Sequence, residues 1–560
     1  MSVVLQWCMR RILALLPRHH ILMETRPISS PQPLLQPGDK RPRLESPLPP
    51  KRGKKKKKTP VESGSSEDVI SREVVALLGK EVVDKAEADG NEWESPFGFR
   101  EEVELTVSSI SSSGEGLALA PSSKGAWVVV VPFVLPGEVI RARIYRQAKM
   151  YSFADLISLE VSNSELRDMN RVKCKYFGTC AGCQYQMLSY ETQLNLKRNV
   201  VVKAYQNYSN LPESGIPAIQ PTIPSPLQYG YRTKITPHFE PPPKKVQKQG
   251  PSTSEEGKPP WLKIGFNQTG RRVVMDIEEC PIATPVLNET YAPMRDNIAK
   301  EIYKYKKGVS LLLRDSLEIP GGNSPTATTQ LGDKDNHVCI TDHKATVRER
   351  VGDLLFDYQA GSFFQNNNSV LGPLTSYVRD AIFPPATSDP PSTTPPPPPT
   401  HLVDAYCGAG LFALTLAAHF TKVAGIELSA DSIRFATHNA ELNGLAHKVS
   451  FRAGDAAQIF DAVGDFPPER TALVVDPPRK GCDEAFVRQL LAFRAQTVVY
   501  VSCNVHTQAR DVGQIVSWSA EETAVGGEGK GKYVLESLRG FDLFPQTAHV
   551  ESVAVLRLVS

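Results

Sequence analysis

The sequence predicts an α/β protein with a C-terminal doubly wound, Rossmann-like domain, an N-terminal OB-like barrel and a central β-rich domain. Three observations lead to this prediction. Short apolar strands alternate with helices from about residue 357 onward, five short strands with glycine turns occupy residues 97–162, and 560 residues are too many for a single core. The expected boundaries are a disordered basic tail over 1–95, the barrel over 96–165, the central domain over 166–356 and the Rossmann-like domain over 357–560.

The basic tail holds most of the excess positive charge. Residues 1–60 carry 14 Lys and Arg against 3 Asp and Glu, a net charge of +11, so that residues 61–560 have a net charge of −8. This balance excludes bulk attraction of the folded part to polyanions, and any nucleic-acid binding there must use a local groove. No apolar run approaches the roughly 18 residues that a membrane-spanning helix needs, which excludes an integral membrane protein.

The tail also contains candidate targeting signals. Residues 1–20 are amphipathic, contain Arg and lack acidic residues, as mitochondrial presequences do, and an extension before an internal start at Met23 fits them equally well. Residues 38–60 hold dense basic clusters that suit a nuclear-import signal or a nonspecific RNA-binding arm, with a merely solvating tail as the alternative. We therefore expect the protein in the nucleus, the mitochondrion or both, with the cytoplasm as a further alternative.

The predicted barrel is defined by strand and turn patterns. Val103–Val107 and Val139–Tyr145 alternate apolar and polar residues, and Trp127–Val131 is a continuous β-rich run. Gly114–Gly116 and Leu135–Glu138 are typical turn sequences. Basic residues around aromatic ones suit an oligonucleotide-binding barrel, and a generic small barrel fits the strand pattern equally well.

Four cysteines mark the central region. Three stand in the pattern Cys174-x5-Cys180-x2-Cys183, and Cys280 follows in Glu279-Cys280-Pro281. Four thiolates can hold a [4Fe–4S] cluster or a structural zinc ion. Because zinc sites usually consist of two close pairs, three clustered cysteines plus a remote one before a proline favour the cluster over zinc or free thiols. The polar or Pro-rich inserts, which are predicted to be disordered loops or surface linkers, are 241–260, 321–337 and 384–399.

A glycine-containing turn follows the first predicted strand of the C-terminal domain. In Asp404–Gly410 the glycines let the backbone approach a ligand, but neither the third glycine of a dinucleotide fingerprint nor the Lys-Ser/Thr of a P-loop is present. Glu427 ends the next strand, where a carboxylate can accept hydrogen bonds from both ribose hydroxyls of an adenosine. Asp455 is a candidate for the adenine end of the pocket. The set favours S-adenosylmethionine, with an ordinary tight turn as the alternative.

Three further polar positions lie at predicted strand ends. Methyltransferases that act on exocyclic amines commonly place an aromatic residue after Asp-Pro-Pro, so Arg479 in Asp476–Arg479 argues against nitrogen methylation. Cys503 closes a strand at the ligand-binding edge, and a thiol near cations can be a thiolate, with a buried small apolar residue as the alternative. Glu551 lies between apolar stretches, where burial would raise its pKa and suit it to proton abstraction, although taken alone it fits a surface Glu better.

Together these motifs resemble the RNA uracil-C5 methyltransferase family, whose members make ribothymidine in tRNA and rRNA. The matching segments, in family order, are Phe363–Asn367, Asp404–Gly410, Asp476–Gly481, Ser502–Asn504 and Phe544–Glu551. The resemblance implies that Cys503 is the nucleophile and Glu551 the base. The residues that it implies for the S-adenosylmethionine pocket are Gln365, Tyr406, Glu427 and Asp476. It also implies that the barrel is a TRAM domain and, from bacterial relatives with the same cysteine spacing, that the four cysteines hold an iron–sulfur cluster.

The leading hypothesis is methylation of C5 of a uridine in RNA, most plausibly uridine 54 in the T-loop of tRNA. The basic tail and the inserts are typical of a eukaryotic member, and eukaryotic relatives act mainly on tRNA. The alternatives are uridine methylation in rRNA, C5 methylation of cytosine, which also uses a Cys that attacks C6, and a noncatalytic RNA-binding or chaperone role. The expected partner is tRNA, no membrane is involved, and we expect a monomer.

Overall fold

A computed structural model describes residues 61–249, 257–319, 336–384, 397–454, 460–526 and 531–559. The candidate presequence, the basic clusters and Asp455 lie outside these residues, as do most of the inserts near 321–337 and 384–399. No helix of the described part is long and apolar enough to cross a membrane.

The first described residues form two helices, α1 (Ser66–Leu78) and α2 (Lys80–Ala88). The predicted disorder of residues 1–95 is therefore wrong for this part of the tail. Ser65 caps α1, because its side chain accepts a hydrogen bond from the Asp68 amide. The buried apolar residues of α1 are Val69, Ile70 and Val74. These three residues give α1 an apolar face that is buried, and this burial stabilises a helix in a segment that the sequence predicts to be disordered.

Five strands form a closed barrel, as predicted. They are β1 (Glu102–Ile110), β2 (Gly116–Leu119), β3 (Val128–Val131), β4 (Val139–Gln147) and β5 (Tyr151–Val161). The order around the barrel is β1-β2-β3-β5-β4, in which β3 and β5 are parallel and the other neighbours antiparallel. All four residues of β3 are buried, and α1 packs on the same core through Ile70 and Val74.

The central region mixes short strands with two long helices. Its elements are α3 (Tyr190–Tyr208), β6 (Gln220–Ile223), β7 (Lys234–Ile235), β8 (His238–Phe239), α4 (Lys244–Gln249), β9 (Ile264–Gly265), α5 (Pro285–Glu301), β10 (Val309–Ser310), β11 (Leu313–Leu317), β12 (His337–Ile340), β13 (Thr346–Val351) and β14 (Leu354–Gln359). Strands β7 to β12 form two three-stranded sheets, and β13 pairs with β14.

The short helix α4 lies inside the insert 241–260, so the predicted disorder is wrong for residues 244–249. Pro243 precedes the helix, and its carbonyl accepts hydrogen bonds from the amides of Val246 and Gln247 at 2.8 and 3.0 Å. These two hydrogen bonds close the first turn of the helix. Residues 250–256 lie outside the described part.

The C-terminal domain is a doubly wound α/β unit, as predicted. Its elements are α6 (Leu371–Ile382), β15 (His401–Ala405), α7 (Leu411–Leu416), β16 (Lys422–Glu427), α8 (Ala430–Leu442), β17 (Val449–Ala453), β18 (Thr471–Val475), α9 (Glu484–Phe493), β19 (Thr497–Ser502), α10 (Val505–Gly526), β20 (Lys532–Phe541) and β21 (Glu551–Val559). The sheet order is β17-β16-β15-β18-β19-β21-β20-β6. Strands β15 to β19 are parallel, and β21 is antiparallel to β19 and β20.

The central region contributes to this sheet, which the expected boundary at residue 356 did not anticipate. Strand β6 pairs with β20 at the sheet edge. Helix α3 packs on one face of the sheet through Val200 and Ala204, together with α9 and α10, while α6, α7 and α8 cover the other face. The carboxyl ends of the parallel strands remain as the edge at which a site can form.

Candidate active site

The carboxyl ends of four neighbouring parallel strands bring four predicted site residues together. Strand β16 ends at Glu427, and β15, β18 and β19 lead into Tyr406, Asp476 and Cys503 respectively. In a parallel sheet these ends lie at one edge, where ligands of doubly wound folds bind. The remaining two residues, Gln365 and Glu551, come from a loop after β14 and from the start of β21.

Cys503 and Glu551 are cross-strand neighbours. Strands β19 and β21 are antiparallel, and their register ends with Ser502 opposite Ser552. Continuing this register by one residue places Cys503 opposite Glu551, the first residue of β21. Directly opposed residues of an antiparallel pair have Cβ atoms about 4.5–5.5 Å apart, so one planar ring can contact both side chains.

The surroundings of the Cys503 thiol disfavour its thiolate form, contrary to the expectation from its sequence position. Burial, together with the carboxylates of Glu551 and Asp476, raises the pKa of Cys503 to about 12. Arg479 opposes this shift in pKa, both through its charge and through a hydrogen bond to the thiol. Sequence position indicated a nearby cation, but it did not reveal that two carboxylates lie beside the same sulfur.

Glu551 is buried, with 3% of its surface exposed. Burial, with a further contribution from the Asp476 charge, raises the pKa of Glu551 to about 8, while Arg479 acts in the opposite direction. Its Oε2 atom accepts no hydrogen bond from any described residue. A desolvated carboxyl group with a free oxygen and a pKa near neutrality has the properties of a general base.

The carboxyl groups of Asp404, Asp476 and Glu427 lie near one another where the cofactor pocket is predicted. Asp404 is fully buried, and burial, with the charges of Asp476 and Glu427, raises its pKa to about 8. Burial also raises the pKa of Asp476 to about 7. The Oδ2 atom of Asp404 accepts a hydrogen bond from the Ala413 amide at 2.8 Å, whereas Oδ1 has no partner among the described residues. Adjacent carboxyl groups favour a cationic ligand, and S-adenosylmethionine carries both a sulfonium and an ammonium group.

The turn after β15 brings the backbone close to this pocket. Tyr406 has a φ of +63°, which is rare for an aromatic residue, and Gly410 has a φ of +92°. A Cβ atom at Gly410 would lie 3.0 Å from the Phe451 ring, so a side chain is disfavoured there for two reasons. The Oε2 atom of Glu427 accepts a hydrogen bond from the Gly408 amide at 3.4 Å. The turn and the carboxylate thus hold each other in place.

Gln365 lies in a loop that is fixed beside the segment leading to Glu551. The residue is buried, and the carbonyl of the preceding Phe364 accepts a hydrogen bond from the fully buried Arg314 at 3.4 Å. In the same loop, the Asn367 carboxamide donates to the Leu543 carbonyl at 3.0 Å. The loop that contains Gln365 is therefore hydrogen-bonded to the segment that precedes Glu551.

Two residues of the site were not identified as functional from the sequence. Arg479 is the cation that contacts the Cys503 thiol, and the Asn504 carboxamide donates to the Arg479 carbonyl at 2.9 Å. Both lie in segments that resemble the family motifs and follow strands that end at the same edge. That shared edge was the signal that could have identified them.

The four predicted metal ligands line one cavity of about 300 Å³. Burial raises the pKa of each thiol, that of Cys280 to about 11. The amide of Gly182 donates a hydrogen bond to the Cys180 sulfur at 3.4 Å. Within the described residues, no group of three or more His, Cys, Asp or Glu side chains has the arrangement to hold a metal ion.

Comparison with known proteins identifies the family. Residues 397–558 match the family model described as tRNA (Uracil-5-)-methyltransferase. The tRNA (uracil(54)-C(5))-methyltransferase of Schizosaccharomyces pombe is 43% identical over 97% of this chain and 91% of its own length, and the Saccharomyces cerevisiae protein of that name is 37% identical over 88% and 78%.

A solved structure supports the fold. The Pyrococcus abyssi tRNA (uracil-54, C5)-methyltransferase in complex with S-adenosyl-L-homocysteine matches with a TM-score of 0.55 and 23% identity, over 81% of this chain and 99% of that chain. The identity over nearly the whole chain, together with the assembled motifs, shows that this chain belongs to the tRNA (uracil-5-)-methyltransferase family.

Proposed function

We propose that this protein transfers a methyl group from S-adenosylmethionine to C5 of uridine 54 in tRNA through a covalent bond between Cys503 and C6 of the base. The observation that carries this proposal is the cross-strand pair of a cysteine and a buried carboxyl group, that of Glu551, whose Oε2 atom has no hydrogen-bond partner among the described residues. Two fungal relatives named for this reaction cover most of the chain and support the choice of substrate.

The chemistry explains why a thiol and a carboxylate are both needed. After the Cys503 thiol has lost its proton to solvent, attack of the thiolate on C6 forms the C6–S bond, breaks the aromaticity of the uracil ring and makes C5 electron-rich. S-adenosylmethionine supplies the electrophilic methyl group that C5 takes up. Glu551 then removes the proton from C5, the electron pair of that C–H bond forms the C5–C6 double bond, and the C6–S bond breaks to release Cys503.

The target base must leave its stack to reach both side chains. Uridine 54 lies in a folded loop, and enzymes that act on ring atoms extrude the target nucleotide into the active site. Residues of the pocket would bind the cofactor by charge and hydrogen bonding. Glu427 would accept from the ribose hydroxyls. Burial raises the pKa values of Asp404 and Asp476, and a cationic group of the bound cofactor would favour their charged forms.

The test is incubation with labelled S-adenosylmethionine and tRNA transcribed without modifications, followed by nucleoside mapping. We expect 5-methyluridine at position 54 and no label in a transcript with cytidine at that position. Label in 5-methylcytidine would show that cytosine is the target, and label in an rRNA fragment but not in tRNA would show a different substrate. Binding of tRNA without any methyl transfer would support a chaperone instead.

Arg479 is expected to control how readily the thiol loses its proton. Because Arg479 lowers the pKa of Cys503, its replacement by Ala raises that pKa and decreases the thiolate fraction at any given pH. We expect adduct formation with 5-fluorouridine-substituted tRNA to slow by on the order of 10-fold near neutral pH, and to recover as the pH is raised.

The neighbouring exposed Lys480 gives a matched control. A Lys480→Ala variant removes one positive charge from the same loop and should keep the wild-type pH profile of adduct formation. An Arg479→Ala variant whose rate is reduced equally at every pH would show that Arg479 contacts the RNA rather than the thiol.

We also propose that Cys174, Cys180, Cys183 and Cys280 hold a [4Fe–4S] cluster. All four line one cavity, and burial disfavours their free thiolates, which metal coordination would stabilise. Each thiolate of such a cluster binds a different iron atom, so the four sulfurs need not converge on one point as zinc ligands do.

The proposed cluster would stabilise the segment that leads to the general base, Glu551. The Gln184 side chain accepts a hydrogen bond from the Ala548 amide at 3.2 Å, and the Tyr185 amide donates to the Gln546 carbonyl at 3.0 Å. These bonds join the cysteine loop to the residues just before Glu551. A cluster that fixes the cysteine loop would therefore also fix the position of the carboxyl group.

Protein purified without oxygen is expected to show the broad visible absorbance of an iron–sulfur cluster. A Cys280→Ser variant should lose this absorbance and the bound iron, because one of the four ligands is gone. A Cys339→Ser variant, which changes a cysteine outside the cavity, should keep both. A colourless wild-type protein with one equivalent of zinc would contradict the assignment.

A further inference from the structure

The segment 64–78 contacts the loop that carries the nucleophile, although it lies more than 400 residues away in the sequence. The Gly64 carbonyl accepts a hydrogen bond from the Asn504 carboxamide at 3.2 Å. We propose that this segment, Gly64 with the helix α1 that follows it, is a positioning element that holds the Cys503 loop in its reactive geometry. The inference rests on the proposed role of Cys503 as the nucleophile.

Asn504 joins three parts of the site through one carboxamide. Its Nδ2 group donates to the Gly64 carbonyl and, at 2.9 Å, to the Arg479 carbonyl. Its Oδ1 atom accepts from the amide of His506 at 3.2 Å. Since Asn504 directly follows Cys503, a change at Gly64 is transmitted to the nucleophile through a single residue.

Gly64 also fits tightly against Thr507. A Cβ atom at Gly64 would lie 2.7 Å from the Cγ2 atom of Thr507, closer than carbon atoms pack. The Thr507 hydroxyl donates to the carbonyl of Arg479 at 3.1 Å and lies 3.0 Å from that of Asn504. Thr507 therefore links the same two loops as Asn504, and the packing leaves no space for a side chain at position 64.

The other end of the segment is anchored to α3 and to the barrel. Asp68 accepts hydrogen bonds from the Gly64 amide at 2.8 Å and from the Tyr208 hydroxyl at 2.9 Å. The buried carboxylate of Glu73 accepts from the amide and hydroxyl of Ser112 and lies 3.3 Å from the Lys203 amine. These bonds attach the segment both to the barrel and to α3. Its Gly64 end is therefore held in place beside the loop that carries Cys503.

The segment is also linked to α10 indirectly, through Tyr208 of α3. His506, near the start of α10, lies with its ring 5.3 Å from that of Tyr208, and the Arg72 guanidinium lies over the Tyr208 ring at 4.2 Å. Arg72 also donates to the Asn207 carbonyl at 2.7 Å. The segment is thus linked to the start of α10 by way of α3, in addition to its own contacts with Asn504 and Thr507.

A Gly64→Ala variant tests the inference, with Gly90→Ala as the matched control. Both glycines have similar left-handed φ angles, +73° and +78°, so both variants carry the same type of backbone strain. Only the new methyl group at position 64 meets Thr507, since a Cβ atom at Gly90 would have no described atom within 4 Å. We expect Gly64→Ala to lower kcat and the rate of 5-fluorouridine adduct formation by about 10-fold, with KM for tRNA unchanged.

A compensating change separates positioning from general destabilisation. In the double variant Gly64→Ala/Thr507→Ser the clashing Cγ2 atom is gone, while the hydroxyl that donates to the Arg479 carbonyl remains. We expect this double variant to recover most of the lost kcat, although it keeps the strained backbone of the single variant.

Two results would overturn the inference while leaving the proposed function intact: equal kcat values for Gly64→Ala and Gly90→Ala, or no recovery in the double variant. A wild-type protein that forms no adduct would instead overturn the proposed function. Thermal unfolding of all four proteins measures how far each variant is destabilised. The clash with Thr507 adds to the backbone strain that both single variants share, so Gly64→Ala should unfold at a lower temperature than Gly90→Ala, and kcat is compared at a temperature at which all four proteins are folded.

Discussion

Replacing Cys503 by Ala is expected to abolish methyl transfer to tRNA. Without the sulfur no covalent bond to C6 can form, and C5 of an intact uracil ring is too weak a nucleophile to attack the methyl donor. Loss of an enzyme's nucleophile commonly reduces turnover by on the order of 10⁴-fold or more, so we expect activity below detection. The same variant should form no covalent complex with 5-fluorouridine-substituted tRNA on a denaturing gel.

The control for this prediction is a second cysteine variant. Cys339 lies in β12 of the central region, and Cys339→Ala removes a partly buried thiol without changing the sheet edge. It should form the 5-fluorouridine adduct at the wild-type rate. If Cys503→Ala kept substantial methyl transfer and still produced 5-methyluridine, the covalent mechanism would be wrong, whatever the fold of the domain.

The fold of the C-terminal domain could be predicted because each of its main strands and helices can be recognised from a short stretch of sequence. Strands such as β18 and β19 are continuous apolar runs, each followed by a polar residue at the sheet edge. That regular alternation placed Asp476 and Cys503 together without any knowledge of side-chain contacts. Strand β6 was not assigned to this sheet, because four residues with two of them exposed carry too little periodic signal.

The properties of the site depend on contacts that sequence order does not contain. Glu551 taken alone resembled a surface residue, and only the antiparallel register of β21 against β19 places it beside Cys503. Because Glu551 lies beside Cys503, its charge helps to raise the pKa of the thiol. The sequence indicated only nearby cations, which would lower that pKa. The contact between Gly64 and Asn504 spans 440 residues and lies in a segment whose composition indicated disorder.

Replacing Glu551 by Gln is expected to trap the enzyme on its natural substrate. The carboxamide keeps the shape of the side chain but cannot accept the C5 proton, so elimination of Cys503 is blocked after methyl transfer. Adduct formation itself should continue, because the Glu551 charge is among the causes that raise the pKa of Cys503, and its removal lowers that pKa. We expect turnover to fall by about 10²–10⁴-fold and a covalent protein–tRNA complex containing the labelled methyl group to accumulate.

The pH dependence gives this prediction its control. The active form of a base is deprotonated, and the pKa of Glu551 is raised to about 8, so wild-type turnover, where proton removal from C5 limits it, should increase from neutral pH and level off above that value. Glu536→Gln, at an exposed position of β20, removes a carboxylate from the same sheet and should keep both the turnover and this profile. The Glu551→Gln variant should lose the rise in turnover while still forming the complex. Normal release of 5-methyluridine by that variant would mean that another group removes the proton, and Asp476, whose charge affects the pKa of both Glu551 and Cys503, would be the next candidate.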